Sequence, residues 1–169
     1  MKLRPYIASK DYQIIKNWII DGRMHDLWCA KRIPYPMTEE NLQEFLEKDA
    51  QEWGGKPYIA TEKDSDIPVG FFIITVNTGT NSAFFKCIMV DNSLRGKGYG
   101  TRMIEQMKRF AFDEIGVSLV QLNVFDANPR AKKCYEKAGL EIESFTENSL
   151  AFGAESWGHY RMIAKKPVE

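Results

Sequence analysis

The segment Arg95-Gly96-Lys97-Gly98-Tyr99-Gly100-Thr101 lies between an apolar run, Phe84 to Val90, and a helix-patterned run, Met103 to Ile115. A strand has to end before it and a helix has to begin after it. The chain is thus committed to a strand–turn–helix unit. The first N–H groups of a helix have no partner inside the helix, and the helix dipole makes that end partly positive. Glycines let an anion come close to those groups, which is how a backbone holds a pyrophosphate. Arg95 and Lys97 add positive charge. Two common nucleotide loops fit poorly. A P-loop ends in Gly-Lys-Ser/Thr, whereas Gly98 is followed by Tyr99. The dinucleotide turn spaces its glycines Gly-x-Gly-x-x-Gly, whereas the spacing here is Gly-x-Gly-x-Gly.

The rest of the chain reads as alternating short elements. Leu3 to Ile7 predicts a strand, and Ser9 is a candidate cap for a helix with Tyr12, Ile15 and Ile19 on one face. Residues 21 to 37 read as irregular, with Pro34 and Pro36 breaking any element. Thr38 caps a second helix whose first turn holds Glu39 and Glu40, and Gly54-Gly55 stops it. Pro57 to Thr61, Pro68 to Val76 and Ala83 to Val90 predict strands, with a hairpin turn at Asn77 to Asn81. After the glycine loop comes the helix, then a strand from Leu119 to Phe125. Asn128 caps a further helix with Pro129 in its first position, and Gly139 closes it. Leu140 to Phe145 and Trp157 to Ala164 complete a sheet. The order β-α-α-β-β-β-α-β-α-β-β predicts a mixed α/β fold of about seven strands and about four helices. The crossover from the 83–90 strand to the 119–125 strand makes that pair parallel.

Composition excludes several classes. The 169 residues suit one domain, 1–169, able to bury a core without disulfides or metals. Lys and Arg total 23 and Asp and Glu total 23, so there is no basic field to hold nucleic acid. The apolar runs are too short to span a bilayer. Cys29, Cys87 and Cys134 form no metal-ligand spacing, and we expect them to be buried small hydrophobes. An odd cysteine count and a start, Met1 to Pro5, that is no targeting segment suggest reduced thiols in the cytosol.

The motifs resemble a known family. Arg95 to Gly100 is similar to the Arg/Gln-x-x-Gly-x-Gly/Ala motif of the GNAT N-acetyltransferases. Downstream, Asn128-Pro129-Arg130-Ala131-Lys132-Lys133-Cys134-Tyr135-Glu136-Lys137-Ala138-Gly139-Leu140 resembles the second GNAT motif, Asn-x-x-Ala-x-x-x-Tyr-Glu-Lys-x-Gly-Phe, with leucine last. Both motifs, in this order and at this separation, are far more specific than either alone. The resemblance implies a largely antiparallel sheet with one parallel, splayed strand pair, commonly with a bulge in the first strand. It implies acetyl-CoA as cosubstrate and no metal. Arg95, Gly96, Lys97, Gly98, Tyr99, Gly100 and Thr101 would hold the pyrophosphate. The backbone of Ile88, Met89 and Val90 would pair with the amides of the pantetheine arm, and Asn128 would also touch it. Tyr135 matches the family tyrosine near the sulfur and is assigned as general acid.

Acetyl transfer to an amine needs a neutral amine, a donor for the oxyanion and, where the thiolate leaves poorly, an acid. The general base stays open among Glu39, Glu40, Glu44, Asp26, His25, His159 and an ordered water chain, because Ala83 to Val90 holds no acid. Acceptor specificity is expected in residues 21 to 37, the second helix and the 147–157 connection, which hold Trp28, Tyr35, Trp53 and Trp157. Ile33 to Glu40 resembles the branch that acetylates protein N-termini. Small-amine acetyltransferases share the scaffold, so the acceptor is a small-molecule or peptide amine, with a monomer or homodimer expected. The alternatives are a CoA-binding module without transfer activity, and an acyltransferase using another acyl group or acceptor.

Overall fold

Among the described residues, seven strands and five α-helices form in the order β1 (Lys2–Pro5), α1 (Ala8–Asn17), α2 (Gly22–Cys29), α3 (Glu39–Trp53), β2 (Lys56–Thr61), β3 (Pro68–Asn77), β4 (Ser82–Val90), α4 (Tyr99–Arg109), β5 (Leu119–Phe125), α5 (Pro129–Lys137), β6 (Glu141–Phe152) and β7 (Glu155–Lys165). The computed structural model describes residues 1–167. The sheet order is β1-β2-β3-β4-β5-β7-β6. The pairs β1·β2, β2·β3, β5·β7 and β6·β7 are antiparallel and β4·β5 is parallel, as the crossover requires. The chain divides into two compact units. One comprises Met1–Thr75 and Lys86–Tyr99; the other comprises Val76–Phe85 and the chain from Gly100 onward.

The first unit has its core between helices and strands. Tyr12 and Ile15 of α1, Trp28 and Cys29 of α2 and Leu42 and Leu46 of α3 are buried with Ile59, Phe71, Ile73, Cys87 and Met89. Burying each large apolar side chain contributes about 1.5–3 kcal/mol. Ser9 does not cap α1. The N-cap position is Ile7, and the carboxylate of Asp11 takes its N–H at 2.8 Å. Arg4 grips the same carboxylate through both terminal nitrogens, each at 2.8 Å. A fully buried carboxylate with a bidentate arginine is a stronger anchor than a serine hydroxyl.

Residues 21 to 37 are not wholly irregular. Asp21 accepts the N–H of Met24 at 2.7 Å and caps α2, which ends at Ala30 in the left-handed conformation. His25, Trp28 and Cys29 form its buried stripe. This helix is the fifth, where about four were expected. It ends before Pro34 and Pro36, so the prolines break nothing. Thr38 and Asn41 form a reciprocal capping box at the start of α3, at 3.2 and 2.9 Å.

In the second unit α4 carries Met103, Ile104 and Met107 on its buried face. It runs on into a π-helical turn over Phe110–Ile115, closed by the N–H of Gly116 on the Ala111 carbonyl at 3.0 Å. The expected 147–157 connection is instead a ladder. β6 and β7 form one long hairpin around Gly153, with register shifts at Ile142/Ser144 and Thr146/Leu150. Those irregularities break the alternation by which a strand is recognised in sequence.

Candidate functional site

The parallel ladder pairs Ser82–Phe85 with Leu119–Leu122 and stops there, although β4 runs on to Val90 and β5 to Phe125. Two residues past the last pair, Cys87 takes φ 50, in the left-handed region. That region costs a non-glycine residue about 1–2 kcal/mol. The Cys87 carbonyl accepts the indole N–H of Trp28 at 2.7 Å, which holds the kink. A parallel ladder that ends after four pairs while both strands run on matches the splay that the resemblance implied, and the positive φ of Cys87 marks a local irregularity in β4. Met89 is buried in the core, while Ile88 and Val90 on the alternate positions are half-buried.

Beyond Val90 the chain makes a 3-10 turn, Asn92–Leu94, capped by Asp91, which accepts the Ser93 N–H at 2.8 Å. Arg95, Gly96, Lys97 and Gly98 are exposed. Gly96 and Gly98 take φ 78 and 80, which only glycine adopts at little cost. A side chain on Gly98 would meet open space, so the glycine there serves backbone conformation and approach rather than packing. The loop is anchored at both ends. The Asn92 amide donates to the Trp18 carbonyl, and the Tyr99 hydroxyl donates to Glu62. Arg95 also reaches the Met24 sulfur at 3.3 Å. Asn92, Met24 and Glu62 escaped the sequence reading, since nothing local marks a residue that tethers a distant loop.

Gly100 and Thr101 open α4 in the second unit. Gly100 is needed for a different reason: a Cβ there would lie 2.9 Å from the Cys134 sulfur on α5. Thr101 Oγ1 is 3.6 Å from the same sulfur. Cys134 is therefore a half-buried contact at the start of α4, unlike Cys29 and Cys87, which are buried as expected. Asn128 caps α5, its side-chain oxygen accepting the Ala131 N–H at 3.2 Å. Tyr135, about two turns further on, is 7% exposed. Burial first, then the neighbouring Cys134, pushes its phenol well above the ordinary range, so it keeps its proton at neutral pH. Among the described residues its hydroxyl has no hydrogen-bond partner.

The candidate bases separate by burial. His25 is fully buried, with Asp26 Oδ1 3.3 Å away, the Cys29 sulfur 3.6 Å away and the rings of Trp28 and Tyr35 about it. It is a core residue. Glu39, Glu40 and Glu44 are exposed on α3. The helix-start N–H groups and Thr38 lower the pKa of Glu40, which makes it a weaker base. Asp26 lies 3.9 Å from the Lys31 amine. His159 on β7 is half-buried, with Nδ1 2.7 Å from Ser149 Oγ; burial and then Arg161 lower its pKa, so the ring is neutral at pH 7. Of the aromatics, Trp28 and Trp157 are core, whereas Tyr35 and Trp53 are exposed. No three His, Cys, Asp or Glu side chains among the described residues are grouped to hold a metal ion. No helix among them is long and apolar enough to cross a membrane.

The first motif thus forms a glycine turn with two positive-φ glycines, and the second forms a capped helix that carries Tyr135. The model of the acetyltransferase (GNAT) family matches residues 21–140. The chain belongs to the GNAT family. Among similar proteins, aminoglycoside N(6')-acetyltransferase type 1 of Klebsiella pneumoniae is 22% identical over 146 residues, covering 80% of this chain and 71% of that protein. An uncharacterized N-acetyltransferase derived from the SPbeta prophage of Bacillus subtilis is 29% identical over 109 residues, 64% of this chain and 60% of that one. Among solved structures, spermidine N-acetyltransferase from Vibrio cholerae, in complex with CoA and spermine, superposes with a TM-score of 0.80 at 19% identity, covering 97% of this chain and 94% of that one. That likeness is one of fold.

Proposed function

We propose that this GNAT protein moves the acetyl group of acetyl-CoA to a primary amine, with residues 1–169 acting as one catalytic domain. The observation that carries the reading is the family match through residues 21–140, which spans the glycine loop and the Tyr135 helix together. The loop from Arg95 to Thr101 receives the pyrophosphate on backbone N–H groups and two cations. The backbone of Ile88, Met89 and Val90 pairs with the pantetheine amides, as an added strand would. The Asn128 amide, besides capping α5, touches the same arm. The neutral amine nitrogen attacks the thioester carbon, the C–N bond forms, the C–S bond breaks, and the proton shed by the nitrogen passes to water. Tyr135, kept protonated by burial, gives its proton to the departing sulfur.

The acceptor we favour is a small amine rather than a protein N-terminus, because the aminoglycoside and spermidine enzymes are among the similar proteins. Three free cysteines fit a reducing cytosol. The test is release of CoA thiol when the protein is mixed with acetyl-CoA and a panel of aminoglycosides, polyamines, amino acids and N-terminal peptides. Amine-dependent release is expected with at least one small amine. Tight acetyl-CoA binding with no release on any amine would leave a CoA-binding module, and release on peptides alone would move the acceptor to protein N-termini.

A further inference from the structure

On the β5·β7 pair directly opposed residues share a face, so Asn123 stands beside Arg161 and Phe125 beside His159. Arg161 is half-buried. Its Nε donates to Asn123 Oδ1 at 2.6 Å and its Nη1 to Gln121 Oε1 at 2.9 Å. The guanidinium carbon lies 5.1 Å from the centroid of the Phe84 ring. Two amide oxygens and a ring face fix the plane of the group, and all three are neutral. Among the described residues no carboxylate pairs with Arg161, and its Nη2 makes no hydrogen bond. Elsewhere in this unit Lys132 pairs with Glu136 and Lys166 lies 3.9 Å from Asp113.

The position matters as much as the charge. Phe84 pairs with Gln121, and the parallel ladder ends one pair later, at Phe85 and Leu122. Arg161 therefore lies where β5 first runs on without β4. His159, two residues back on the same face of β7, is neutral at pH 7 and cannot neutralise the guanidinium. Ser144 and Thr146 oppose the two residues on β6, and both are uncharged. A guanidinium fixed by neutral acceptors has no counter-charge beside it, and its Nη2 N–H groups are left to donate. Those donors suit a carboxylate oxygen, and the charge repels an ammonium.

We propose that Arg161 reads a carboxylate on the acceptor, so that the acceptor is a small amine of the free amino acid class rather than a polyamine. Which end is acetylated rests on the acetyl-transfer reading above; the recognition does not. The relatives that act on polycations share the scaffold, and this residue marks where the present chain departs from a cationic substrate.

The experiment uses compounds that differ only by the carboxylate: lysine against cadaverine, and alanine against ethylamine. The wild type, Arg161→Gln and Arg161→Lys are titrated calorimetrically with each in the presence of CoA, and the same compounds are run as acceptors with acetyl-CoA. Expected is binding and turnover of the carboxylate member roughly 10-fold or more better in the wild type, the scale of one charge-assisted hydrogen bond. Arg161→Gln, melting close to the wild type, loses that preference, and Arg161→Lys keeps part of it. Preference for cadaverine and ethylamine overturns the proposal. So does a folded Arg161→Gln protein that keeps the full preference, and so does absence of binding by all four compounds. Carboxylate-dependent binding without thiol release from any acceptor supports the role of Arg161 and overturns the acetyl-transfer reading instead.

Discussion

In the proposed reaction Tyr135 is the general acid, and its environment bears on that role. The ring is packed, the phenol is protonated at neutral pH, and no protein group holds its hydroxyl. Tyr135→Phe removes that hydroxyl and keeps the ring. The melting temperature is expected to hold, because the ring keeps its packing and no protein hydrogen bond is lost. Turnover is expected to fall roughly 100-fold or more, the usual scale for a general acid. Acetyl-CoA affinity is expected to stay, since in the proposed site the loop and β4 carry the binding. Equal falls in kcat and kcat/KM mark an interaction made only in the transition state, and single-turnover rates remove any masking by product release. Unchanged single-turnover chemistry in the Phe protein means that the thiolate leaves unaided and Tyr135 only packs.

At the scale of an element, α5 has two duties that one residue joins. Asn128 caps the helix and, in the proposed site, touches the pantetheine arm. Asn128→Ala is expected to cost about 1 kcal/mol of stability, as cap removal does. For a domain of this size that lowers Tm by roughly 2–4 °C. Asn128→Asp keeps the cap oxygen but loses the amide donor. It is expected to melt like the wild type while binding acetyl-CoA more weakly; equal affinity and equal Tm in the Asp protein would confine Asn128 to capping. α5 was readable in sequence because its cap, its proline and its closing Gly139 are all local signals. α2 was not, because its cap, Asp21, precedes no apolar run, and its buried stripe of His25, Trp28 and Cys29 is half polar in type. The β6·β7 hairpin was half readable. Its bulges at Ser144 and Leu150 displace the alternation, and β6 is mostly exposed, so no apolar face announces it. The loop glycines were legible as a motif, but their separate reasons were not. Gly98 serves a positive φ, while Gly100 makes room for a cysteine far along the chain.

For the whole molecule, folding and ligand binding are linked. The proposed acetyl-CoA contacts are distributed over β4, the Arg95 to Thr101 loop and α5, segments distant in sequence that the unfolded chain does not bring together. Acetyl-CoA then binds the native state and not the unfolded one. At 100 times its dissociation constant it stabilises the fold by about 2.7 kcal/mol. With a shift of roughly 2–4 °C per kcal/mol for chains of this size, the expected rise in Tm is about 5–10 °C. Free CoA keeps the pyrophosphate and pantetheine contacts and is expected to give nearly the same rise. ATP and NAD carry phosphates for the loop but no pantetheine to pair with Ile88, Met89 and Val90, so each is expected to give a clearly smaller one. Lys97→Ala removes one loop cation and is expected to reduce the rise with CoA more at low salt than at high, because exposed charges are screened. A thermal scan series reads all of this on the intact chain. A rise with NAD larger than with acetyl-CoA would assign the glycine loop to a dinucleotide after all. Equal rises with ATP and CoA would mean that the loop binds phosphate while the strand beyond the last β4·β5 pair binds nothing.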